Sequence, residues 1–145
     1  MNEISIPQEA NKLKQFYKKL IKKSESDIDL IFKTSFAILS KQPKSTYKKN
    51  FEELRLRGIY GIMKDITKFM TDVFKLKLPG TSLVDFYIAV AESLSELGLD
   101  YMITEYPKDF INLLDKKVGI NKKYISKETP NKIKRFGELI IDSNK

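Results

Sequence analysis

Cysteine, histidine and tryptophan are all missing from this chain of 145 residues. The loss of the first two excludes disulfides, thiolate nucleophiles, Cys/His zinc sites and imidazole bases, and with them the serine- and cysteine-type catalytic triads. An enzyme is therefore not expected, and neither a metal nor an organic cofactor is implied. Long apolar runs are also missing. The most apolar stretch, Leu83 to Leu99, is broken by Asp85, Glu92 and Glu96, which are costly in hydrocarbon, and it falls short of the ~20 residues a span needs. A core helix is expected there, and no membrane partner. The opening residues Met1 to Pro7 lack a basic segment followed by an apolar one, so no signal peptide is read and an intracellular location is expected.

What is present suffices for a core. Apolar residues make up 41% of the chain and include nine Phe and seven Tyr, enough for burial to offset chain entropy in one domain spanning 1–145. The 27 basic residues outnumber the 19 acidic ones, giving a net charge of +8. That balance favours a polyanionic partner, a nucleic acid or an acidic protein surface, over a small-molecule substrate.

The periodicity is helical throughout, and no segment sustains the two-residue alternation of a strand. Ser5-Ile6-Pro7-Gln8 reads as a capping box before a helix carrying Leu13, Phe16, Tyr17, Leu20 and Ile21. Its other face is a lysine stripe that includes Lys12, Lys18, Lys19 and Lys22, with no acid between Glu9 and Glu25. Ser24, Ser26 and Asp27 offer caps for a second helix, which Gln42-Pro43 ends. Ser45 or Thr46 then caps a long third helix running to Pro79-Gly80. Gly58 and Gly61 inside it mark a kink or a close crossing. Thr81 or Ser82 starts a buried fourth helix closed by Gly98, Pro107 opens a fifth, and Thr129-Pro130 opens a last. The expected fold is all-α, a single bundle of five or six helices.

Charge is uneven along this chain. From Leu78 to Pro107 there is no basic residue and five acids, Asp85, Glu92, Glu96, Asp100 and Glu105. From Lys108 to Arg135 nine basic residues face three acids. The acidic row and the basic clusters, to which Arg55, Arg57, Lys132, Lys134 and Arg135 belong, are the candidate partner-binding residues, since opposed patches steer association.

Three short constellations suggest chemistry and have simpler readings. Ser45-Thr46-Tyr47-Lys48 has the Ser-x-x-Lys spacing of penicillin-binding enzymes but stands where a cap is needed. Asp27 and Asp29 could offer oxygens to Mg²⁺, yet acids in a first turn stabilise the positive helix end. Gly58-Ile59-Tyr60-Gly61 resembles the nucleotide clamp of KH domains without the neighbouring strands.

Residues 114–127 resemble the helix-turn-helix of phage-repressor-type proteins. Gly119 stands at the turn, Leu114, Val118, Ile120 and Ile125 at packing positions, and Asn121 at the cap. The resemblance implies that Lys122, Lys123, Tyr124 and Lys127 face DNA. Asp115 departs from the small residue expected beside the turn, and Thr129-Pro130 shortens the second helix. The same residues also read as a Gly-terminated helix followed by a lysine-rich loop. In overall character the Lys-, Ile- and Tyr-rich chain is similar to small helical-bundle proteins of archaeal viruses, among them the RNA-polymerase inhibitory proteins of the two-tailed Acidianus virus group. That resemblance implies a non-enzymatic viral regulator in the host cytoplasm that binds RNA polymerase in its DNA-binding channel and represses transcription. The alternative is a basic helical DNA-binding protein, a regulator or a virion packaging component, with weak non-specific hold on nucleic acid.

Overall fold

The computed structural model describes residues 8–98 and 106–143. Within them the chain is all-α, with seven helices: α1 Asn11–Ile21, α2 Glu25–Leu39, α3 Lys44–Leu56, α4 Tyr60–Phe74, α5 Leu83–Leu97, α6 Pro107–Val118 and α7 Thr129–Ser143. Single 3-10 turns cover Gln8–Ala10 and Lys122–Tyr124. None of the described helices is long and apolar enough to cross a membrane. The proposed capping box at Ser5 falls largely outside the described residues, as do Asp100 and Glu105.

Several helix starts follow the expected capping chemistry. Ser24 Oγ accepts from Asp27 N at 3.1 Å and Ser82 Oγ from Asp85 N at 3.0 Å, each satisfying an amide that has no partner within the helix. Pro107 takes the first position of α6, where a missing N–H costs nothing. At α3 the expected cap is not used. Pro43 precedes the helix without a side-chain cap, and Ser45 lies exposed in its first turn.

The long third helix is two helices. α3 closes in a Schellman motif, with Gly58 N donating to Arg55 O at 3.1 Å and Ile59 N to Leu54 O at 2.9 Å. Gly58 adopts φ +73°, and Ile59 and Leu54 are both buried, the apolar contact that accompanies this ending. Tyr60 then starts α4.

α2 and α4 form the most extensive helix pair, and α3 lies outside it, touching only those two among the described helices. Polar links set their register. Asn50 Nδ2 donates to Thr34 Oγ1 at 3.2 Å, and the Thr67 hydroxyl lies 2.8 Å from Ser35 Oγ. α5 packs on α1 and α6, and α7 closes the bundle across α1, α4 and α6. The aromatic residues form the core between these groups. Phe136 stacks on Phe69 at 4.0 Å, Tyr17 meets Phe136 edge-on at 6.0 Å, and Phe74 and Phe36 reach Tyr87 at 5.0 and 5.8 Å. α5 buries Phe86, Tyr87, Ala89, Val90, Ala91, Ser93 and Leu94, while Asp85, Glu92 and Glu96 stay exposed along one edge.

The segment resembling a helix-turn-helix has no recognition helix. α6 stops at Val118 because Asp115 draws the chain back: its carbonyl accepts from Gly119 N at 2.7 Å and its Oδ1 from Ile120 N at 3.0 Å. Asn121 N then donates to Leu76 O at 2.6 Å, and Ile120 pairs with Lys77 in an isolated antiparallel bridge. Lys122–Tyr124 make only one 3-10 turn before Ser126 and Thr129 turn the chain into α7. Gly119, at φ +70°, has the Leu78 Cδ1 atom only 2.9 Å from where a Cβ would sit, so its lack of a side chain serves this inter-loop contact.

Candidate partner-binding surface

Folding brings acids to the lysine stripe of α1. Lys14, with a side chain only 13% exposed, pairs with Asp29 and with Glu25 at 3.8 Å, and Lys18 pairs with Glu25. Lys12 reaches Glu92 of α5 at 3.6 Å. Lys19 and Lys22 remain at the solvent. The stripe is therefore partly neutralised by α2 and α5, partners that local sequence did not reveal.

The acidic row is likewise met from two sides. Glu92 lies between Lys12 and Lys117, the latter at 3.7 Å, and Glu96 accepts from Lys117 Nζ at 2.7 Å. The bond to Glu96 is the chief cause that holds the Lys117 ammonium above its ordinary range. Asp85 and Glu92 border an open groove of about 610 Å³, floored by Ile88 and Ala89 and edged by Lys117 and Val118. Pairs at the solvent stabilise a fold only slightly, so a partner's cations can replace them at small cost.

The C-terminal basic residues do not form one face. Lys122 lies 3.8 Å from Asp115 and Lys132 4.0 Å from Asp72, while Lys123 sits over the exposed Tyr124 ring at 5.8 Å. Lys127 and Lys134 are exposed on the turn and on α7. Arg135 borders a groove of about 210 Å³ with Asp65, Lys68 and Asp72. Partial burial raises the Asp65 carboxyl above its usual range, against the pull of Lys64, Lys68 and Arg135.

Arg55 and Arg57, grouped together by sequence, have separate roles. Arg57 ties the end of α3 to the start of α2, donating to Ser26 Oγ at 2.9 Å and Asp27 Oδ1 at 3.0 Å, and also to Glu53. Its guanidinium is held protonated most of all by Glu53, then by Asp27. Arg55 has no carboxylate within ion-pair distance among the described residues. Its guanidinium lies 4.3 Å from the centre of the Tyr60 ring and 5.9 Å from that of Phe51, and Lys64 Nζ lies 5.7 Å from the Tyr60 ring.

Of the basic seam between α3 and α4, sequence reasoning named only Arg55. Lys44, Lys48 and Arg55 recur at helical spacing along one side of α3, and α4 adds Lys64. The signal was available: no acid occurs between Asp29 and Glu52, a span with five lysines. Next to Arg55 in the chain, Leu56 is 88% exposed. α3 and α5 share no contact, so the acidic row does not meet the cations of the seam; Lys19 of α1, by contrast, lines one groove with Glu92 and Glu96. No protein-family model matches the chain, and comparison with curated proteins and with solved structures returns no match.

Proposed function

We propose that the protein is a non-enzymatic viral regulator that binds the host RNA polymerase in its DNA-binding channel and represses transcription. The observation that carries this reading is that Arg55 and Lys64 have no ion-pair partner among the described residues, while Asp85, Glu92 and Glu96 line an exposed edge of α5, a helix that does not touch α3. A channel that accommodates DNA must present cations to phosphates, and the row of Asp85, Glu92 and Glu96 offers such a wall anionic groups. The α3–α4 side then faces acidic residues elsewhere on the enzyme. Opposed patches of this kind fix orientation as well as attract, because the reversed pose juxtaposes like charges. The overall likeness of the sequence to polymerase-inhibitory proteins of archaeal viruses supports the same reading.

A second reading, a DNA-coating or packaging protein, is favoured by the basic seam itself, since clustered cations bind phosphates without regard to sequence. Titration separates the two. In transcription by purified archaeal RNA polymerase, half-inhibition should track polymerase concentration, close to one protein per enzyme. It should not shift when the amount of template is raised at fixed polymerase. Inhibition that scales with template mass would instead support coating.

A further inference from the structure

We infer that the α3–α4 seam is the docking surface for an acidic, partly apolar segment of a protein partner, with Arg55 and Lys64 receiving carboxylates and Leu56 burying against the partner. This deepens the polymerase reading and rests on it. Two cations share the Tyr60 ring, at 4.3 and 5.7 Å from its centre, with no carboxylate between them in ion-pair distance among the described residues. Like charges gathered at one aromatic ring repel, and an incoming anion relieves that repulsion. The ring also limits the freedom of the Arg55 side chain, so less entropy is lost when its planar donors engage a carboxylate.

Leu56 and the rings decide between protein and nucleic acid. Tyr47, Phe51 and Tyr60 form an edge-to-face ladder with centroids 5.1 and 5.5 Å apart, and Arg55 covers Tyr60, leaving it ill-placed to stack a base. A phosphodiester backbone would gain nothing from Leu56, the most exposed large apolar residue described, at 88%. A protein surface would gain from covering it. Arginine and tyrosine at the centre of such a patch are also the residues that most often dominate protein interfaces.

The test is binding of the labelled full chain to purified archaeal RNA polymerase, with the fold of each variant checked by thermal melting. Leu56→Ala, and separately the pair Arg55→Ala with Lys64→Ala, should each weaken binding about tenfold. The charge-matched pair Lys108→Ala with Lys116→Ala, on the exposed side of α6, should change it by less than about threefold. Arg55→Lys keeps the charge and loses the planar fork, and should fall between. Unchanged affinity for Leu56→Ala, or equal losses from both charge pairs, would overturn the inference while leaving the polymerase reading intact. Loss of duplex-DNA binding with polymerase binding retained would reassign the seam to nucleic acid. Failure of the unaltered protein to bind polymerase would remove the polymerase reading and this inference together.

Discussion

Arg55 and Arg57 stand two residues apart on α3, and the difference between them is one of partners. Arg57 is bonded to Ser26, Asp27 and Glu53 and belongs to the scaffold, whereas Arg55 rests on Tyr60 with no carboxylate in ion-pair distance among the described residues. Satisfaction of polar groups is uneven in the core as well. Tyr17 is fully buried with its hydroxyl unpartnered among the described residues, and so is the hydroxyl of Ser93. A buried polar group without a partner costs about 1–3 kcal/mol. Tyr17→Phe and Ser93→Ala should therefore each raise stability by about 1 kcal/mol in urea unfolding. Burial also pushes the Tyr17 phenol well above its ordinary value. Its raised folded pKa means that the native state resists ionisation. The stability tied to the neutral phenol is complete below the unfolded value of about 10 and is lost as pH rises above it. Tyr17→Phe should flatten that alkaline decline, and an unchanged profile would count against the burial.

At the scale of elements, the ends of α2 and α3 use the same motif with different residues. α3 places Gly58 at the left-handed position. α2 places Lys41 there, at φ +58°, with Lys41 N donating to Ile38 O at 3.0 Å and Gln42 N to Ala37 O at 3.1 Å. A side chain in that conformation costs roughly 1 kcal/mol relative to glycine. Lys41→Gly should thus stabilise the protein by about 1 kcal/mol, and Gly58→Ala should destabilise it by a similar amount, since no neighbour lies within 4 Å of the added Cβ. Opposite signs in paired melting curves check the motif at both helices.

The same element explains where sequence was legible. Periodicity placed α1, and periodicity together with a capping serine or a first-turn proline placed α2, α5, α6 and α7, because those signals are local. The division at Gly58 was missed although Leu54, Gly58 and Ile59 spell it. An interior glycine fits a kink or a close crossing equally well until the Leu54–Ile59 contact is seen. The resemblance at 114–127 failed through Asp115, whose bond to Ile120 N ends α6, and through the pairing of Asn121 with Leu76, which no local pattern reveals. Among the candidate residues, exposure followed from type, but pairings such as Lys12 with Glu92 depend on long-range packing.

Across the whole molecule, the separation of charge along the sequence is softened in space by Lys12 and Lys117 at the acidic row and by Glu25 and Asp29 at the α1 stripe. Among the charges left without an internal partner are the cations of the seam on α3 and α4, and α3 does not touch the helix that carries the acidic edge. We propose that the protein occupies the polymerase channel in place of DNA, and displacement of duplex DNA from polymerase tests this most directly. With labelled duplex bound to purified archaeal RNA polymerase, the protein should release the DNA at about one copy per enzyme. Reversing Asp85, Glu92 and Glu96 to lysine should weaken that release about tenfold or more while the helical fold is retained. A ternary complex in which polymerase holds DNA and this protein together, with no release at saturation, would contradict the account.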